Sequence, residues 1–206
     1  MKVKICGITN IEDALKAVEL GIDALGFIFA KSPRKVEPEK AAGIIRSLPL
    51  FIKTVGVFVN EEPNRIRQIV DLCGLDIIQF HGDEPPEVLA EFAPRAIKAF
   101  RLKDESSLEP IKSYQGKVRA TLLDTYSDNK FGGTGKTFDW GLAIKAKAFG
   151  IPLILSGGLS PDNIQEAIRA VQPYAVDVNS GVEEGPGKKD HILMTQLMEN
   201  IRRVSI

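Results

Sequence analysis

Cysteine is scarce in this chain: 206 residues hold two, Cys6 and Cys73, in neither a C-x-x-C pair nor a Cys/His spacing of the kind that binds metal. That predicts a reduced compartment. A surplus of charge is missing too. With 27 basic residues balanced by 27 acidic ones, there is no basic field to gather nucleic acid, and an anionic ligand would need local donors. No apolar run approaches the roughly 20 residues that span a bilayer, and the N-terminus lacks signal-peptide architecture. The expectation is a soluble, cytoplasmic protein with no nucleic-acid or membrane partner. No break in composition marks a seam, so one domain over residues 1–206 is expected.

What the chain does hold is alternation. Short aliphatic runs follow one another with amphipathic stretches between them, bounded by Gly, Pro or Asx, the signature of βα units and a parallel sheet. Eight runs read as strands: Val3–Cys6, Ala24–Phe29, Lys53–Val59, Leu75–Phe80, Ala96–Phe100, Ala120–Asp124, Pro152–Ser156 and Tyr174–Val178. They are mostly continuous in hydrophobicity, as strands buried on both faces should be. Asn10, Asn60 and Ser160 stand where helix N-caps are expected, Ser160 with Pro161 at the first helical position. Eight units favour an α/β fold of the closed (β/α)₈ (TIM) barrel type, at the short end of its length range, over an open sheet with two extra strands.

In such a barrel the chemistry gathers at the C-terminal strand ends. Cys6 stands at the first of these, His81, Asp124 and Asp177 at others, and Arg34 in the loop after the second. Each also has a plain structural reading: a buried small hydrophobe, a turn residue, a cap, a solvated charge. Jointly, charged groups at the ends of buried strands need partners or a ligand. LSGGLSPDNI follows the seventh strand and VNSGVEEGPG the eighth. Two Gly-containing loops there form the usual phosphate site of barrels, with Gly157, Gly158, Ser180 and Gly181 as donors. The longest connection, TYSDNKFGGTGKTFDW, reads as a binding loop or lid. Its GGTGKT is not a P-loop, because Lys130 stands where that motif needs glycine.

KICGIT, SPRKV, VGVFVN, QFHGDE, LLDT followed by GGTGKTFDW, LSGGL and VDVNSGVEEGPGKKDH, in this order along essentially the whole chain, closely resemble the phosphoribosylanthranilate isomerases of tryptophan biosynthesis. The resemblance implies a (β/α)₈ barrel that performs the Amadori rearrangement of N-(5-phosphoribosyl)anthranilate to a 1-deoxyribulose 5-phosphate, with no metal or cofactor. It implies Cys6 as the base that removes the proton from ribose C2, and Asp124 as the acid that protonates the furanose oxygen. Arg34 matches a residue that meets the anthranilate carboxylate, a task suited to a planar guanidinium fork. Gly157, Gly158, Ser180 and Gly181 match the phosphate loops. His81 and Asp177 fall on family positions, His81 either tuning Cys6 or shaping the anthranilate pocket. Phe80 replaces a residue commonly aliphatic in the family.

Three alternatives differ in class. The related histidine-pathway isomerase takes a two-phosphate substrate, but its kind carries aspartate where this chain has Cys6, and VNEEPNR offers no Gly-Gly partner for LSGGL. A binding-only barrel shares the fold without the chemistry. A thiol-redox protein would join Cys6 to Cys73. Monomer and homodimer are both compatible with the sequence.

Overall fold

Each of the eight apolar runs forms a strand in the computed structural model, which describes residues 1–125 and 140–204. They are β1 (Lys2–Ile5), β2 (Ala24–Ile28), β3 (Lys53–Phe58), β4 (Ile77–Phe80), β5 (Ala96–Leu102), β6 (Ala120–Thr125), β7 (Leu153–Leu155) and β8 (Ala175–Val178). All pairings are parallel and in sequence order, and β1 pairs with β8 from Lys2↔Ala175 to Ile5↔Val178, closing the barrel. The open sheet is thereby excluded. Cys6 lies one residue beyond β1, yet its N–H still donates to Val178 O at 2.9 Å.

Alternation along the strands sorts the side chains into two cores. Val3, Ile5, Leu25, Phe27, Phe58, Phe80 and Leu123 belong to the large cluster shared with the helices. Phe80 is wholly buried there, its ring 5.4 Å from that of Phe92, so its departure from the family pattern concerns packing. Within the barrel, Ile97, Ala99, Ala120, Leu122, Ile154 and Ala175 fill one level. Nearer the C-terminal end, Cys6, Ile28 and Val57 form a small separate cluster. The lumen thus passes from dry packing to a mouth rich in polar groups.

Helices α1 (Ile11–Glu19), α2 (Pro38–Arg46), α3 (Pro63–Cys73), α4 (Pro86–Ala90), α5 (Trp140–Ala146), α6 (Ile164–Val171) and α7 (His191–Val204) connect the strands or close the chain. Asn10 caps α1 as expected, its Oδ1 accepting the Asp13 N–H at 2.8 Å. Asn60 does not cap α3. Proline is fixed for the first helical turn, so α3 starts at Pro63 with Glu62 before it. Asn60 instead accepts the Asp83 N–H and donates its own to Glu84 Oε1, both at 2.7 Å, bracing the loop after β4. Residues 161–163 form a turn before α6, which starts at Ile164; Ser160 Oγ accepts the Asp162 N–H at 3.3 Å within it.

Between β5 and β6 the chain makes a ten-residue 3₁₀ segment, Glu105–Tyr114, in which Pro110 lacks the N–H an α-helix would use. After β8 comes an unanticipated hairpin, β9 (Glu183–Gly185) and β10 (Lys188–Lys189). The Gly-rich stretch with Gly132, Gly133 and Gly135 lies outside the described residues. Among the described residues, no helix is long and apolar enough to cross a membrane.

Candidate active site

A pocket of about 680 Å³, counted to its open mouth, sits at the C-terminal end of the barrel. Cys6, His81, Asp124, Asp177, Gly157, Gly158 and Ser180 line it, together with Lys31, Gln79 and Asn179. Apolar side chains with a few convergent polar groups are the lining of a small-molecule site. Among the described residues, no group of three His, Cys, Asp or Glu is arranged to hold a metal ion.

Cys6 is 5% exposed. Two residues before it on β1, Lys4 also points into the lumen, its Nζ donating to Asp177 Oδ2 at 2.8 Å. Both partners are buried, where each needs the other to keep its charge. Burial pushes the Cys6 thiol above its ordinary range; Lys4 and Lys189 pull it down, Asp177 adds to the rise, and the net direction is upward. For Lys4, burial alone would lower the pKa, but Asp177 and Cys6 outweigh it and the ammonium is held above its usual value. The lumen therefore holds a firm cation beside a reluctant thiol.

Asp124 ends the inward row of β6. His81 Nε2 stands 3.4 Å from Asp124 Oδ2, an ion-pair distance without the alignment of a hydrogen bond. On its other side the ring meets Gln79 Nε2 at 3.0 Å through Nδ1. With that amide donating, the ring proton sits on Nε2 and faces Asp124. His81 is thus the neighbour of Asp124, while Lys4 is the neighbour of Cys6. Gln79 Oε1 and Asp177 Oδ1 are buried and without hydrogen-bond partners among the described residues.

The loops after β7 and β8 meet across the mouth. Gly157 and Gly158 have φ of 85° and 66°, a turn that other residues adopt only with strain. Ser180 opens a 3₁₀ turn, Ser180–Val182, directly after β8. Gly181 does not line the pocket. A Cβ there would lie 1.9 Å from Leu159 O, so its bare backbone is what lets the two loops touch.

Arg34 also stands outside the pocket lining, and its partner is Glu183: Nε donates to Oε1 at 2.9 Å and Nη2 to Oε2 at 2.7 Å. Glu183 uses one edge of the guanidinium, leaving the outer Nη1–Nη2 edge for another planar anion. Glu183 also receives Lys189 Nζ at 2.9 Å, and Lys189 in turn donates to Asn179 O and Oδ1. Burial works against the Glu183 charge, but Arg34 and Lys189 hold its pKa below the ordinary value. Lys189, wholly buried and sharing its carboxylate with Arg34, is left below its own usual value, burial being the larger influence.

Seven of the nine expected residues therefore line one pocket; Gly181 and Arg34 are not among its lining. Lys4, Gln79, Asn179, Glu183 and Lys189 were not singled out from the sequence. A signal existed for the first two: a polar residue inside an apolar strand run, in register with an inward-facing neighbour two residues on, points into the lumen. Glu183 and Lys189 gave none, because only the hairpin turns them toward Arg34. Both cysteines are free, Cys73 donating from α3 to Pro38 O at 3.3 Å, and no disulfide joins them.

The family model described as N-(5'phosphoribosyl)anthranilate (PRA) isomerase matches residues 3–200. The N-(5'-phosphoribosyl)anthranilate isomerase of Geobacter sulfurreducens is 58% identical over 204 residues, covering 98% of each chain. The crystal structure of phosphoribosyl anthranilate isomerase from Thermotoga maritima superposes with a TM-score of 0.92 at 46% identity, covering 98% of this chain and 99% of that one. A structure of such an isomerase in complex with reduced 1-(o-carboxyphenylamino)-1-deoxyribulose 5-phosphate gives a TM-score of 0.89 at 44% identity, covering 98% and 99%.

Proposed function

The chain belongs to the N-(5'-phosphoribosyl)anthranilate isomerase family, and from that premise we propose how its pocket carries the Amadori rearrangement that makes the chain an enzyme of tryptophan biosynthesis. The observation behind the reading is that Cys6 and Asp124 line one pocket together with Gly157, Gly158 and Ser180. A phosphate held by the loop amides would fix one end of the sugar, and the outer edge of Arg34 would meet the anthranilate carboxylate.

Asp124, as the acid, gives a proton to the furanose ring oxygen. The C1–O bond then breaks as the anthranilate nitrogen forms the C1=N bond of the Schiff base. Cys6, as the thiolate, takes the C2 proton; the electrons of that C–H bond form the C1=C2 bond while the C1=N π electrons of the protonated Schiff base return to nitrogen, and the resulting enaminol tautomerises to the ketone by gaining a proton at C1 and losing that of the C2 hydroxyl. The Nε2–H of His81, on the Asp124 side of the ring, faces that carboxyl and stabilises the carboxylate left once its proton has gone. A raised thiol pKa makes the thiolate scarce at neutral pH but a stronger base when it forms, a balance suited to abstraction from carbon. Consumption of a polar phosphosugar and the two free cysteines support a cytoplasmic site of action.

Loss of anthranilate fluorescence during turnover provides the assay. Cys6→Ala and Asp124→Asn should each lower kcat by about 10²- to 10⁴-fold, while affinity for a reduced product analogue stays within a few-fold of the parent. Near-normal turnover in either variant overturns the role given to that residue. Absence of turnover in the unaltered chain, with the analogue still bound, would leave a binding-only barrel.

A further inference from the structure

The level of the lumen filled by Ile97, Ala99, Ala120, Leu122, Ile154 and Ala175 is packed without charge. The Lys4–Asp177 pair, matched across β1 and β8 and 5% exposed on each side chain, places opposite charges in the lumen close to Cys6. A buried ion pair roughly breaks even against apolar packing, so stability does not account for it. Gly26 on β2 adds a second observation: a Cβ there would lie 2.8 Å from Cys6 Sγ and 3.1 Å from Lys4 Cε. The sulfur and the lysine stem therefore share one groove over bare backbone. Asp177 Oδ1, buried and without a hydrogen-bond partner among the described residues, belongs to a residue that lines the same pocket.

We propose that Lys4 is a positioning residue whose ammonium, shared between Asp177 Oδ2 and Cys6 Sγ, sets the ionisation of that thiol, and that Asp177 is its counterweight. This rests on Cys6 being the base of the isomerisation. One cation faces two groups that can each carry negative charge. Whatever weakens the hold of Asp177, such as a ligand hydroxyl donating to Oδ1, turns the ammonium toward sulfur. Among the described residues, the charged and titratable groups acting on Cys6 are Lys4 from β1, Asp177 from β8 and Lys189 from β10, with Lys31, His81 and Asp124 lining the same pocket. Lys4 and Asp177 act on the thiol with opposite sign, which makes the inference separable from a packing role.

The test is the pH dependence of iodoacetamide alkylation at Cys6 in the full chain, located by peptide mass spectrometry so that Cys73 is counted apart. Asp177→Asn keeps a hydrogen-bond partner for Lys4 but removes the counterweight. Its alkylation midpoint should fall by about one pH unit, making the reaction below the midpoint roughly tenfold faster. Lys4→Met should move the midpoint up by about the same amount. The alkaline limb of kcat/KM should follow in each case. Unmoved midpoints, midpoints moving in the same direction, or a kcat/KM limb that ignores the thiol all overturn the proposal. If Lys4→Met does not fold, the downward shift in Asp177→Asn decides alone. Failure of the underlying reading is seen elsewhere, as turnover surviving in Cys6→Ala.

Discussion

Replacing Gly181 by alanine is a one-methyl perturbation whose consequence can be worked from geometry. The φ of Gly181 is not in the left-handed region, so alanine brings no backbone strain of its own. What it brings is a Cβ 1.9 Å from Leu159 O, 2.9 Å from Leu159 C and 3.0 Å from Ser160 Cα. All three are backbone atoms, so no side chain can rotate away. Ordinary contact begins at 3.4 Å, which obliges the loops after β7 and β8 to part by about 1.5 Å, the kind of overpacking that costs about 1–3 kcal/mol. A misplacement of about 1 Å in a bound substrate can lower the rate by about 10²-fold. Gly181→Ala should therefore unfold at lower temperature and bind the phosphorylated product analogue at least tenfold more weakly. Its Cys6 alkylation profile should remain unchanged. Calorimetry and fluorescence titration supply both numbers. An analogue affinity equal to the parent, with the melting point lowered as stated, would refute the claim that contact between these loops builds the phosphate grip.

Arg34→Ala should raise KM by about 10- to 100-fold, the worth of a charge-assisted carboxylate contact, and lower kcat less. Glu183 keeps Lys189 as a partner at 2.9 Å, so the melting temperature should fall only modestly, and an unchanged KM would remove the carboxylate assignment. Acid stability gives the third expectation. Glu183 and Asp76 both titrate below their ordinary values of 4.5 and 3.8, against the desolvation that raises each, because of Arg34 and Lys189 in one case and Lys53 and Thr54 in the other. The unfolded chain takes up those protons first as pH falls. Their stabilisation is thus present above about pH 4.5 and lost progressively below it. Glu183→Gln should flatten the melting-temperature profile in that window, and an unaltered slope would show that Glu183 does not contribute to it.

The strands were legible because parallel strands buried on both faces leave an unmistakable aliphatic run, and eight such runs leave little choice but closure. Helix starts were less so. Asn60 has the composition of a cap, but Pro63 fixes the first turn three residues on and the asparagine goes to the loop after β4 instead. The site divided along the same line. Residues at strand ends, Cys6 and Asp124 among them, could be placed by counting along one strand. Contacts between distant segments could not: nothing local tells Arg34 that Glu183, 149 residues away, occupies one edge of its guanidinium, or tells Gly181 that Leu159 leans on it. Asp177 stands in the sequence as a carboxylate at a strand end, and its pairing with Lys4 becomes visible only once β8 lies against β1.

That same β1–β8 ladder has a consequence for selectivity. Cys6 follows β1 and the Ser180 turn follows β8, and four consecutive residue pairs lock the two strands together. The sulfur that would meet C2 and the amides that would hold the phosphate are mounted on one ruler, graduated by the sheet. A sugar one carbon longer or shorter, gripped by its phosphate, would offer a different carbon to the sulfur. With those roles for Cys6 and the loop amides, strand register would measure the length of the substrate, a setting that lies in the backbone rather than in any one side chain of the pocket wall.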